Sequence, residues 1–140
     1  MDVLEIPFNK FFGLQKSDSN NDFIFKIEHK KEYQNHLGTI HASALFALAE
    51  ASSGEYLLNQ FKDYRLDLIS VVRKVEVKYS KPANGTIFSK ACIIDTEVID
   101  IINELKNKNR ARIKVKVDVC NDNGEKVFTS TFDWFVTNKL

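Results

Sequence analysis

One carboxylate stands alone in an apolar stretch. From Ala42 to Ser53 the chain reads Ala-Ser-Ala-Leu-Phe-Ala-Leu-Ala-Glu-Ala-Ser-Ser, and Glu50 is the only charged residue in it. A helix that is apolar on all sides is a buried helix. An ionised carboxylate inside one costs several kcal/mol unless it is paired or its pKa moves. Two roles are open to such a group. It can activate a water or attack an electrophilic carbonyl itself, or it can accept hydrogen bonds from nearby serines and backbone and fix packing. The residues before the helix suit the first role. Gly38 and Thr39 form a polar turn, and His41-Ala42-Ser43 opens the helix with unpaired backbone N–H groups. Such an N-terminus fits a developing oxyanion; the plainer alternative is an ordinary cap, with His41 orienting the loop. Asn35 can hold that loop or position water, and loop asparagines are above all turn formers. His36 has no evident partner. A metal site built from His36, His41 and Glu50 is disfavoured, because their spacing does not converge the three side chains. No cofactor is implied.

The elements that must position these residues follow from composition and periodicity. At 140 residues, 44% apolar and 28% charged, the sequence predicts one soluble domain with a sizeable core. A net charge of +1 gives no field that favours nucleic acid or a membrane surface. Cys92 and Cys120 form no C-x-x-C pair, which argues against a zinc or redox motif. The first residues lack the basic start and apolar core of a signal peptide, so a cytoplasmic protein with reduced thiols is expected.

Residues 3–15 carry apolar side chains at mixed spacing around Pro7 and predict a short N-terminal helix or an apolar clip. Ser17 to Asp22 reads as a loop. Phe23 to His29 alternates as a first strand, and Lys30 to Thr39 is a polar connection. The helix follows over roughly 41–60. Leu66 to Tyr79 then predicts a strand with Val71, Val75, Val77 and Tyr79 on one face and Lys74, Glu76 and Lys78 on the other. Lys81-Pro-Ala-Asn-Gly85 is a turn, and Thr86 to Asp95 a third strand. Glu97 to Asn109 reads as a short helix or an irregular crossover. Ala111 to Cys120 alternates most cleanly, with Ile113, Val115, Val117 and Val119 inward. Asn121-Asp-Asn-Gly124 signals a hairpin into a last strand, Lys126 to Thr137. The prediction is α+β: one long buried helix and about four antiparallel strands wrapped around it.

In this order, and in two motifs, the sequence resembles the hotdog-fold thioesterase superfamily, in particular the phenylacetic-acid-type acyl-CoA thioesterases and their DUF4442 relatives. That family's pattern is an Asn, five residues, His-Gly, and an Asp or Glu nine positions after the His. Asn35, His41, Ala42 and Glu50 fall at this spacing. Tyr79-Ser-Lys-Pro-Ala-Asn-Gly85 is similar to the family's Y-x-x-P-A-x-G after the second strand. The resemblance implies one hotdog domain over 1–140, a curved antiparallel sheet around a long central helix. It implies thioester hydrolysis with Glu50 as general base or nucleophile and the Ala42 N–H as oxyanion donor, with Asn35 and His41 in the same constellation. Gly38, Thr39, Ser70 and Val72 are then the substrate-contacting positions. Two departures stand out. Ala42 replaces the usual Gly, keeping the N–H but adding a methyl. The second-strand Ser or Thr of many relatives aligns with Val72, and Ser70 lies one strand step earlier.

The implied substrate is an acyl-CoA or a related thioester. A second class of function remains open, a non-catalytic acyl or acyl-CoA binding module; hotdog hydratases resemble a different His and Asp arrangement. Arg73, Lys74, Lys78, Lys81, Arg110 and Arg112 read mostly as solvated strand faces rather than phosphate ligands. Phe128, Phe132 and Trp134 read as core or subunit contact rather than acyl pocket. Nine residues of helix turn the chain by roughly 900° and separate His41 from Glu50 by about 13.5 Å on opposite sides. One chain cannot easily set both on one carbonyl. The expectation is therefore a homodimer with sites shared between chains, or a tetramer made of two such dimers.

Overall fold

The computed structural model describes residues 1–18 and 22–139. Part of the expected Ser17–Asp22 loop, residues 19–21, lies outside them. A 3-10 turn at Val3–Glu5 leads into α1 (Pro7–Phe12). Then come β1 (Gln15–Lys16), β2 (Phe25–Ile27), α2 (Ala42–Phe61), β3 (Leu68–Tyr79), β4 (Ile87–Ile94), α3 (Val98–Lys108), β5 (Arg110–Asn121) and β6 (Lys126–Asn138). The strands form one antiparallel sheet in the order β1-β2-β4-β5-β6-β3. Its six strands are the four read after the helix, β2, which is the shortened first strand, and the two-residue β1 beside it, which the sequence did not announce.

Helix α2 runs 20 residues against the concave side of the sheet, touching β2, β4, β5 and β6. Leu45, Leu48, Ala49, Ser52, Leu57 and Phe61 are buried on its sheet-facing side. Against them β5 presents Ile113, Val115, Val117 and Val119, all without solvent exposure, and β6 presents Phe128, Phe132 and Val136. The period-2 pattern read from the sequence is thus the core face of the sheet. Each such aliphatic side chain contributes on the order of 1.5–3 kcal/mol by leaving water. The 97–109 region resolves to a helix: Ile101, Ile102 and Leu105 are buried, and Asn109 caps the end in the left-handed conformation (φ 59°). The Asn121–Gly124 turn forms as read, with Asn121 Oδ1 accepting from the N–H groups of Asn123 and Glu125 at 3.0 Å each.

The prediction fails for Val71 on β3. The register of β3 against β6 slips between Val72 and Lys74, a bulge at Arg73. Beyond it Val75 and Val77 lie on the half-buried face as predicted. Before it the inward residues are Leu68, Ser70 and Val72, and Val71 points outward. A bulge adds one residue to one strand and reverses the alternation from that point.

Two serines tie α2 to the far strands. Ser52 Oγ donates to Leu48 O at 2.6 Å and lies 2.5 Å from Ser89 Oγ on β4. Ser89 Oγ in turn accepts from Phe25 N–H on β2 at 3.2 Å. The β2–β4 ladder is short, so this hydroxyl serves a buried amide that the ladder leaves free. Ser89→Ala orphans that amide, and a buried unsatisfied donor costs about 1–3 kcal/mol. Chemical denaturation of the variant is therefore expected to show a loss in that range with an unchanged m-value.

Candidate functional site

Glu50 sits in the third turn of α2, where the helix is half-covered by the sheet. Its side chain enters a cavity of about 420 Å³. Ser70 and Val72 of β3 and Trp134 of β6 form one wall, and Val3 and Ile6 of the N-terminal segment form the roof. Burial alone pushes the Glu50 carboxyl above the usual carboxylate range. Ser70 Oγ is buried and has no hydrogen-bond partner among the described residues. Glu50, Ser70 and Val72 thus meet at one cavity, and the hydroxyl it offers comes from Ser70.

The other candidates gather elsewhere. Asn35, Thr39 and Ala42 line a second hollow of about 290 Å³, walled by Tyr79, Pro82 and Ala83. The two cavities have no lining residue in common. His41 is the N-cap of α2: its Nδ1 accepts from Ser43 N–H at 2.9 Å. Its own N–H donates to Tyr33 O at 2.7 Å, and Ile40 N–H donates to Ala83 O at 2.9 Å, which pins the helix start to the Pro82-Ala83 turn. Asn35 is consumed by its own loop. Its Oδ1 accepts from Leu37 and Thr39 N–H groups at 2.9 and 3.1 Å, and its Nδ2 donates to Thr39 Oγ1 at 2.8 Å. That is the turn-forming use of asparagine. Gly38 has φ +75°, a conformation that favours glycine, and lines neither cavity. His36 is exposed.

The sequence reading missed three features. Trp134, read as core or subunit contact, is buried in the core, and it also walls the Glu50 cavity. It also anchors the helix there: its Nε1 donates to Ser53 Oγ at 3.1 Å, and Ser53 Oγ donates to Glu50 O at 2.7 Å. Nothing in the alternation of β6 says which helical turn its inward residues will meet. The roof is the second. Val3 is buried and Asn9 Nδ2 donates to Val3 O at 3.0 Å, so the predicted clip folds over the cavity. Gly54, one turn after Glu50, is the third; it faces the Trp134 ring.

The basic strand residues lie on outer faces. Lys74 pairs with Glu76 at 3.7 Å, Lys81 with Glu125 at 3.0 Å, and Arg73 stacks over the Phe135 ring at 3.9 Å. Among the described residues no group of three or more His, Cys, Asp or Glu could hold a metal ion, and no helix is long and apolar enough to cross a membrane.

Solved structures share this fold. Protein PA5026 of Pseudomonas aeruginosa, a protein of unknown function described as a probable thioesterase, is 21% identical, with 97% of this chain and 91% of that one aligned and a TM-score of 0.79. Thioesterase HI1161 of Haemophilus influenzae is 16% identical over 99% of this chain and 87% of its own, with a TM-score of 0.72. BH2602 of Bacillus halodurans, crystallised with CoA, is 22% identical over 80% and 69%, with a TM-score of 0.63. The fold they have in common with this chain is the hotdog fold, a sheet wrapped around a central helix. No curated protein matches the sequence. The family model of DUF4442, a domain of unknown function, matches residues 19–136, and the chain belongs to that family.

Proposed function

We propose that this chain is a single hotdog domain that hydrolyses an acyl-CoA or a related thioester, at a site shared between two copies. The observation that carries the reading is the carboxyl of Glu50, half-buried in an apolar cavity beside the unpartnered Ser70 hydroxyl. The names of HI1161 as a thioesterase and of BH2602 as a CoA complex lend support from the same fold. Glu50 takes a proton from water as the water oxygen bonds to the thioester carbon, or its carboxylate makes that bond first. The carbonyl oxygen gains charge opposite the Ala42 N–H and the C–S bond breaks; on the water route the thiolate leaves with the proton that Glu50 took, and on the direct route the thiolate leaves first and water then cleaves the acyl–Glu50 anhydride, its proton passing to the thiolate.

Coverage and geometry support a dimer. The sheet leaves a stripe of α2 partly open at Ser43, Ala47, Glu50 and Gly54. These are small residues apart from Glu50, so a second α2 can approach closely there. The helix start and Glu50 open into separate cavities within one chain. Two helices packed side by side about a two-fold axis set the 35–42 segment of one copy against Glu50 of the other. Two such dimers can pair again into a tetramer. The Val72 departure favours one other reading, a binding module: binding of acyl-CoA with no turnover across a wide thioester panel would establish it.

Glu50→Gln is expected to lower kcat/KM by about 10²–10⁴-fold while keeping fold and assembly; undiminished turnover removes Glu50 from the mechanism. Ala42 is the first helical residue and His41 before it is extended (φ −62°, ψ 141°), so Ala42→Pro fits the backbone and deletes only the N–H. Statistical mixing of the two inactive variants is expected to restore roughly a quarter of wild-type activity, since half the dimers are mixed and each carries one intact site. No rescue after verified subunit exchange, or an active monomer, defeats the shared site.

The raised pKa of Glu50 gives two pH signatures. As a base it must be ionised, so kcat/KM is expected to fall towards acid through an inflection above the usual carboxylate range. For stability the sign is opposite. The folded state holds the Glu50 proton more tightly than the unfolded state, so ionisation destabilises the fold at neutral pH. Glu50→Gln is expected to melt higher than wild type above the raised pKa, and the gap to close as pH falls to the ordinary carboxylate value. Thermal melts from pH 4 to 8 measure this.

A further inference from the structure

We infer that the cavity beside Glu50 holds a straight aliphatic acyl chain of about eight to twelve carbons, and that Gly54 sets how far the chain can run. The inference rests on the thioester reading for its chemistry and on the cavity for its size. From α2 the lining residues are Glu50, Ala51, Gly54, Leu57 and Leu58, one stripe along the helix. Eight residues of helix span about 12 Å. The β3 wall gives the same length independently, because Leu68 to Val72 covers four strand steps of roughly 3.3 Å each. An extended chain of tetrahedral atoms advances about 1.2 Å per bond, as a peptide spans up to ~3.6 Å per three bonds. The groove therefore accepts about ten bonds beyond the carbonyl.

Its chemistry selects the class. Beyond Glu50 and Ser70, the polar side-chain groups among the described lining residues include the Asn9 amide, bonded to Val3 O, and the Trp134 indole N–H, bonded to Ser53 Oγ. Neither Lys nor Arg is among the described residues that line the cavity, and Leu57, Leu58 and Leu68 make its outer end apolar. An aromatic acyl group such as phenylacetyl reaches only about half the length and leaves the outer apolar wall of Leu57, Leu58 and Leu68 unfilled. Gly54 stands midway. Glycine inside a helix is unfavourable relative to alanine, and packing within the chain does not demand it here. A Cβ at this position would meet only Trp134, at 3.6 Å, an ordinary contact. The missing side chain leaves the floor of the groove open.

The test is kcat/KM over straight-chain acyl-CoAs from C2 to C16, with phenylacetyl-CoA alongside, for the full chain and two variants. Wild type is expected to gain about three- to fourfold per methylene and to level off between C8 and C12. Gly54→Leu places a side chain one helical turn, about 6 Å, from Glu50, so the optimum moves to about C6 and the decanoyl-to-butyryl ratio falls on the order of 100-fold. Leu58→Trp, at the outer end, moves it to about C8, and it carries the test if circular dichroism shows Gly54→Leu unfolded. Three results overturn the inference and leave the thioesterase reading standing: an optimum at C2, a preference for phenylacetyl-CoA, or equal loss on all chains in Gly54→Leu with a dissociated dimer. The last would assign Gly54 to helix contact. If wild type turns over no thioester, the thioesterase reading fails separately. Calorimetry of decanoyl- and butyryl-CoA on Glu50→Gln then decides the groove: tighter decanoyl-CoA upholds it, and equal affinities overturn it.

Discussion

A helix that is apolar on every side must be covered on every side, and the rest of this structure answers that demand. The sheet curls around α2 and buries the side that carries Leu45, Leu48, Ala49 and Leu57. Six antiparallel strands from one chain still leave the opposite stripe only half-covered. Glu50 lies on that stripe, between a fully buried and a fully solvated setting. Burial on that stripe raises its pKa above the usual carboxylate range.

The helix is held at one rotation by polar ties rather than by apolar packing alone. Ser52 binds its side to β4 and β2 through Ser89, and Ser53 binds the neighbouring side to β6 through Trp134. Apolar contacts tolerate small rotations and slides, whereas a buried hydrogen bond is lost within a few tenths of an ångström and leaves an unpaired group behind. The two serines are adjacent in sequence and follow Glu50 by two and three residues. Ser53 Oγ also donates to the backbone carbonyl of Glu50 itself.

A second chain of contacts joins the cavity roof to the helix start. The Tyr33 hydroxyl donates to Phe12 O at the end of α1, and its ring meets Phe12 edge-on at 4.9 Å. Its carbonyl accepts from His41 N–H. The N-terminal segment that roofs the Glu50 cavity and the loop that opens α2 are therefore seated on one tyrosine. Any displacement of the roof pulls on the residue that precedes Ala42.

The sequence by itself determined the elements and the isolation of Glu50. The period-2 runs of β5 and β6 and the capping of α2 by His41 depend on neighbours within a few residues, and local sterics and burial decide them. The spacing of Asn35, His41, Ala42 and Glu50 likewise pointed to the family. The tertiary structure alone decided what those residues face. A bulge at Arg73 turned Val71 outward, and no alternation in the sequence announces an unpaired residue. Asn35 spent its hydrogen bonds inside its own loop. Trp134, Ser70 and the N-terminal segment converged on Glu50 from far along the chain, because sheet register and the rotation of α2 are set by contacts between distant residues. Those contacts are three-dimensional sums of packing and hydrogen bonding, and no local window of sequence contains them.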